Sequence, residues 1–396
     1  MMTKSIFDNH DSIIPSLDLV DDEDVSNGED TPEPWDPSKI RISTKHFSLR
    51  DVVTQIMDNE IDLSPDFQRD YVWRKRQQTR LIESILLGIP LPAFYFNQSD
   101  DGSYQVIDGV QRLSTISMFM NDRHVLSNED LEYLQNLDGL LFSQLDVASS
   151  RRFRSTQIVV HVIEPQTLEE VKYDIFSRVN TSGSPLSAQE IRHAMSKERS
   201  RKLLGELSES ISFDEATGFN FWRKDSNGDK IRHSGRMTNR ELVLRFLAFR
   251  NFSIDEYRKY KNLDAYLVEF TKQIDGKSKI NQPISDIELI SLKCDFHKAM
   301  ENARFILDDI AFRRFSLESK RKGPINRAVF ESQAIALADY NLADLEPKKN
   351  DISHAFRKAF DDDNFVRSVS VGTGSPSAVE YRIKKMRETL KGILHD

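Results

Sequence analysis

Apolar positions along the chain change their spacing near residue 196, and that change divides it. Before that point helix-spaced stripes alternate with short β-branched or aromatic runs; beyond it helical spacing prevails. Leu49, Val52, Val53 and Ile56 form a stripe behind Ser48, which is placed to cap a short helix over 48–57. Residues 75–87 are expected to be helical, buried through Leu81, Ile82, Ile85 and Leu86 and ended by Gly88. Pro90 and Pro92 then bracket an extended entry into 93–96. Ser99-Asp-Asp-Gly102 turns the chain back into 104–107, a β-hairpin pattern. At Asp108-Gly109 the period becomes helical at once, with Leu113, Ile116 and Phe119 in phase. After a weak stretch over 121–152, Gln157–Ile163 is β-branched and strand-like. A helix is expected over 168–178 with Val171, Ile175 and Phe176 inside, and Ser187-Ala-Gln-Glu190 is a capping box opening another. Helix, hairpin, helix, strand, helix implies an α+β domain with a small mixed sheet.

From about 196 the strand signals fade. Residues 240–249 are helical and very apolar, the expected core of a second, mainly α-helical domain. Helical spacing continues over 256–272, 286–310 and 325–339, and 378–390 reads as a final basic helix after the loop Gly372-Thr-Gly-Ser-Pro376. Residues 210–234 look like an irregular insertion anchored by Phe219, Phe221 and Trp222. The expected organisation is an acidic disordered leader over 1–39, an α+β domain over 40–195 and a helical domain over 196–396.

Charge sharpens the first of these boundaries. The net charge is −8, yet residues 1–38 hold eleven Asp and Glu against one Lys, which leaves the remainder near +2. Such a leader is expected to stay solvated, mask a basic surface in cis, or bind a partner. A single cysteine, Cys294, excludes an internal disulfide and a Cys-based zinc site. It lies in a helical stretch expected to be buried. No apolar run is long enough to span a membrane, and no basic-then-apolar signal pattern stands at the N-terminus, so a soluble, cytoplasmic protein is expected.

The candidate chemistry gathers at Asp108-Gly109-Val110-Gln111-Arg112. A strand feeding a helix through Asp-Gly leaves the first helical amides unpaired, and those amides with the helix dipole favour an anion. Gln111 and Arg112 sit in the first turn, able to grip it; the plainer alternative is a turn with an arginine salt bridge. Upstream, Gln68 and Arg69 stand between Phe67, Tyr71 and Trp73, either held towards a site or, for the arginine, packed over Trp73 at the surface.

Three segments carry a family resemblance: Phe67-Gln-Arg-Asp-Tyr-Val-Trp73 with 81–86, Val106-Ile-Asp-Gly-Val-Gln-Arg-Leu-Ser-Thr-Ile116, and Ile175-Phe-Ser-Arg-Val-Asn-Thr-Ser-Gly183 followed by Leu186 and Glu190. In order and spacing they resemble the N-terminal domain of GmrSD-type, type IV restriction systems, over about 42–195. That domain's fold is similar to those of ParB and sulfiredoxin. The resemblance implies binding of an NTP with Mg²⁺, and hydrolysis through an Asp-Gly-Gln-Gln-Arg motif. By it, Asp108 would orient a metal-bound or ribose group or fix the turn, Gln111 would position a phosphate or attacking water, and Arg112 would neutralise phosphate charge. Gly109 would admit backbone amides to the phosphate; Gln68, Arg69, Ser114, Thr115, Asn180 and Thr181 would complete the nucleotide site. Val110 stands where the family pattern has its first Gln and can neither donate nor accept, so binding is implied and hydrolysis left open. Sulfiredoxin's reactive cysteine has no counterpart here, and Cys294 is not expected to be catalytic.

Full-length relatives often carry a C-terminal HNH nuclease. His297, His354 and His395, the histidines beyond residue 240, do not form its pattern, and no P-loop is present. Asp361-Asp-Asp-Asn364 is expected to be a solvated turn. The leading expectation is a nucleotide-binding regulatory component of a restriction or anti-phage defence system, acting on DNA with a separate nuclease or effector and able to form a homodimer. The alternatives are a DNA-binding module without enzymatic activity, a DNA endonuclease of the GmrSD type, or a scaffold using the leader to hold a partner. The DNA-binding alternative rests on basic clusters at 74–80, 151–154, 313–314, 320–327 and 382–391, against the plainer reading of solvated helix faces.

Overall fold

The structure, a computed structural model, describes residues 20–21, 36, 40–63, 73–179, 187–224 and 228–395. The chain divides into two compact units: Thr31–Lys197, and Glu198–Asp396 together with Val20 and Asp21.

The first unit is built on a five-stranded mixed sheet in the order β1-β5-β3-β4-β2. Its strands are β1 (Ile42–Ser48), β2 (Ile61–Asp62), β3 (Phe94–Gln98), β4 (Tyr104–Asp108) and β5 (Gln157–Ile163). β1 runs antiparallel to β5, β5 parallel to β3, β3 antiparallel to β4 as the expected hairpin, and β4 parallel to β2. Alternation along the strands assigns the two faces. Phe94, Phe96, Val106, Ile158, Val160 and Val162 pack into one core with α1 (Leu49–Met57), α2 (Lys75–Leu86), α3 (Val110–Met120) and α4 (Val147–Ser155). Ile107 and Ile163 pack instead with Phe176 of α5 (Glu169–Val179) and Ile191 of α6 (Ala188–Met195). The cap signals are realised. Ser48 accepts from Asp51 N at 3.2 Å, and Ser187 and Glu190 exchange both capping-box bonds.

β1 has no counterpart among the expected elements. It is an edge strand whose residues are half-buried or exposed throughout, so its apolar alternation is too sparse to read.

The second unit is mainly helical: α7 (Glu198–Ser208), α8 (Ile211–Ala216), α9 (Thr238–Phe249), α10 (Ile254–Tyr257), α11 (Leu263–Ile274), α12 (Asp286–Leu307), α13 (Arg327–Ala338), α14 (Leu342–Leu345), α15 (Lys349–Lys358), α16 (Asp363–Ser368) and α17 (Pro376–His395). Every residue of α9 is buried, as its apolar run demands. The stretch 210–234 is more regular than expected. It holds α8 and a hairpin of β6 (Trp222–Lys224) with β7 (Lys230–Arg232). Of its expected anchors, Phe221 stacks on Phe213 in the core, whereas Phe219 is half exposed at a positive φ.

Two further expectations are corrected here. Cys294 is exposed, on the solvent side of α12. Asp362 is a working cap rather than a solvated turn: it accepts from the amides of Asn364 and Phe365, and from Tyr381 and Lys385 of α17. The Lys385 ammonium and these hydrogen bonds hold its carboxyl down at about 2. Val20 and Asp21, inside the segment expected to be a solvated leader, pair with Ile325. Asp21 N–H donates to Ile325 O at 2.8 Å, and its carboxylate accepts from Arg314 Nε at 3.0 Å.

Candidate functional site

The turn between β4 and α3 is set by Gly109, whose φ is +102°. A Cβ built there would lie 2.2 Å from Phe94 Cδ1, so both the backbone and the neighbouring ring require glycine. α3 therefore starts with Gly109 alone between it and the strand, and Gln111 and Arg112 lie in its first turn.

Arg112 is held on several sides. Its Nη1 donates to Pro92 O at 2.5 Å, and its Nη2 donates to Ala93 O at 3.3 Å and Asp108 Oδ2 at 2.7 Å. The guanidinium lies 4.2 Å from the centre of the Phe94 ring. Only 12 % of the side chain is exposed. Burial pushes the Asp108 carboxyl above its ordinary range, with the Arg112 charge and the Gly109 N–H pulling the other way. Burial likewise draws the Arg112 guanidinium down against the pull of Asp108. The pair locks the strand end to the loop before β3, which leaves part of the guanidinium's donor fork for a ligand.

Gln111 differs from Arg112. Its Oε1 is buried and has no hydrogen-bond partner among the described residues, within the first turn of α3. Further along α3, Ser114 and Thr115 are buried, and the Thr115 hydroxyl donates back to Gln111 O at 2.8 Å. Gln68, Arg69, Asn180 and Thr181 lie outside the described residues. Asp108, Gly109, Gln111, Arg112, Ser114 and Thr115 are thus brought together on one turn and one helix. On the neighbouring strand, Asn97 Oδ1 is also buried without a partner among the described residues, a position that no sequence pattern marked. No cluster of metal-ligating side chains is found among the described residues.

A second carboxylate escaped notice because α2 hides it among apolar neighbours. Glu83, flanked by Leu81, Ile82 and Ile85, accepts the amides of Glu132, Tyr133 and Leu134 at 2.7–3.0 Å. Burial pushes its pKa up, but these amides and the Arg80 charge outweigh that, and it ends below the ordinary value. Glu83→Gln is expected to cost about 2 kcal/mol, as loss of charge-assisted hydrogen bonds does. For a carboxylate with a depressed folded pKa, the contribution is complete above its unfolded pKa of about 4.3 and is lost as pH falls through the folded value. Urea unfolding of wild type and variant should therefore differ at neutral pH and converge on acidification; a gap unchanged by acid would contradict the assignment.

The basic clusters resolve unevenly. Arg382 is fully buried against Glu331, Lys385 is tied to Asp362, and Arg387 to Asp339 at 2.9 Å. Arg313 donates to Gly323 O at 2.6 Å, and Arg314 and Arg327 reach Asp21. Much of the charge expected to face a nucleic acid there is spent inside the unit.

The first unit is thus an α+β domain whose candidate site is a glycine turn at a helix start, with an orphaned amide oxygen beside a clamped Asp–Arg pair. Residues 50–196 match the family model of the GmrSD restriction endonuclease, N-terminal domain, a span of a little over a third of the chain. No curated protein and no solved structure matches the chain. No helix among the described residues is long and apolar enough to cross a membrane.

Proposed function

We propose that this protein is a nucleotide-binding, regulatory component of a restriction or anti-phage defence system, acting on DNA with a separate effector. The family match supplies the restriction context. The observation that carries nucleotide binding is the glycine turn at the start of α3, where helix amides and dipole favour a phosphate, with the buried, unpartnered Gln111 Oε1 in the first turn placed to accept from a donor such as a ribose hydroxyl or base N–H. Asp108 and Arg112 fix the turn, Gly109 admits the backbone, and Gln111 orients the ligand. Ser114 and Thr115 line the helix behind it, and the family resemblance assigns Gln68, Arg69, Asn180 and Thr181 to the same ligand. The bound species is an NTP with Mg²⁺, in a domain of ParB- and sulfiredoxin-like fold.

Gln111→Ala is the informative variant because it spares the Arg112 clamp. Thermal unfolding is measured with ATP, GTP, CTP and UTP, each with Mg²⁺. A nucleotide at about 100 times its Kd should add roughly 2.7 kcal/mol to wild type. Gln111→Ala should melt like wild type without ligand and lose most of that gain. No stabilisation of wild type by any of the four would refute nucleotide binding.

A further inference from the structure

The second unit holds a cavity of about 1150 Å³ that none of the sequence patterns marked. One wall is the turn between α10 and α11, carrying Arg258, Lys259, Tyr260 and Lys261. The other is α16, with Arg367, the loop 371–375 and the start of α17, with Tyr381 one turn inside it. The lining contains four cationic side chains and no carboxylate. Arg367 is exposed and makes no ion pair or side-chain hydrogen bond among the described residues. Arg258 has only a 4.0 Å approach to Asp255 and is 60 % exposed, and Lys259, paired with Glu256, is 66 % exposed. α17 adds the positive end of a twenty-residue helix. Pro376 brings no N–H, and Ser375 Oγ accepts from Ala378 N at 3.3 Å.

The walls are fixed rather than incidental. Tyr257 OH donates to Gly374 O at 2.6 Å, and the buried Arg382 donates to Ser368 O at 3.1 Å and Thr373 O at 2.7 Å. Tyr260 and Tyr381 are half-buried and line the cavity.

We propose that this cavity binds the phosphodiester backbone of single-stranded nucleic acid. The lining charge selects an anion. The volume exceeds the roughly 300–1,000 Å³ of small-ligand sites. The exposed cations stand on both walls, Arg258, Lys259 and Lys261 on one and Arg367 on the other, which suits several phosphates better than one. Tyr260 and Tyr381 offer surfaces on which bases stack without regard to sequence. The site places the strand contact on the helical unit, and it does not depend on nucleotide binding at α3.

The test is fluorescence anisotropy of the full-length protein with a labelled single-stranded oligonucleotide of about 20 nucleotides, a length that spans such a groove, titrated from about 50 to about 200 mM salt. Four phosphate contacts predict that log K falls with log salt at a slope of about −3. Arg258→Ala with Arg367→Ala should weaken binding about tenfold and flatten the slope by about 1.4, because two contacts are lost. Both positions are exposed, so the melting temperature should not move; Lys261→Glu is the independent second variant and should weaken binding likewise. Gln111→Ala should bind the oligonucleotide like wild type, which separates this site from that at α3. The proposal is overturned if wild type does not bind at low salt, or if the double variant binds with unchanged affinity and slope. It also falls if free ATP or polyglutamate at equal charge concentration displaces the strand, which would assign the cavity to a nucleotide or an acidic peptide.

Discussion

Arg382→Met is expected to destabilise the second unit by about 3–5 kcal/mol, the cost of stranding a buried charge. Arg382 and Glu331 have no exposed side-chain surface. Arg382 Nε donates to Glu331 Oε1 at 2.5 Å, and its Nη1 reaches the carbonyls of Ser368 and Thr373. Methionine fills much of the volume but strips the buried Glu331 carboxylate of the Arg382 guanidinium, with Arg245 Nη1 3.7 Å away. Two carbonyls lose their donor as well. The double variant Arg382→Met, Glu331→Gln removes the stranded charge and should recover about half of the loss, since a missing pair costs less than half a pair. Urea unfolding of the three proteins measures this. A single variant within about 1 kcal/mol of wild type would mean that water reaches Glu331 and that the pair is not sealed. The same substitution should weaken oligonucleotide binding, because Arg382 holds α16 and the loop 371–375, one wall of the cavity, through Ser368 O and Thr373 O.

Gly109→Ala is expected to cost about 3 kcal/mol or more in the first unit. Two penalties add: an L-residue at φ +102° and overpacking against Phe94, each about 1–3 kcal/mol. The chain can relieve the clash only by moving Phe94, which is fully buried and carries the Arg112 guanidinium on its face. The loss should therefore include the Asp108–Arg112 clamp and any ligand-induced stabilisation at α3. Unfolding curves and nucleotide titration of this variant read both effects. A variant that melts within about 2 °C of wild type, less than 1 kcal/mol gives in a unit of this size, would show that the turn relaxes without the ring.

Local signals account for most of what the sequence determined. Capping boxes, Gly88 and the Asp-Gly turn each act within a few residues, and α2, the β3–β4 hairpin, α3, β5 and α6 stand close to where those signals place them. The buried stripe of α3 and the all-round burial of α9 follow from spacing alone. The residues of the candidate site on α3 were legible for the same reason: Asp108 to Arg112 are contiguous, so one turn assembles them.

What only the tertiary structure decided depends on partners far along the chain. β1 is a strand because β5, more than a hundred residues later, supplies its ladder; alone its pattern is too weak. Arg382 looked like one more charge on a basic helix, and is fully buried because Glu331 waits at that depth. Arg112 could be read as gripping a ligand or as salt-bridging the turn, and it spends most of its donors on Pro92, Ala93 and Asp108. Periodicity tells which face of an element turns inward. It cannot tell which charges meet there, because a buried charge is tolerated only where another element, unrelated in sequence, brings its counterpart.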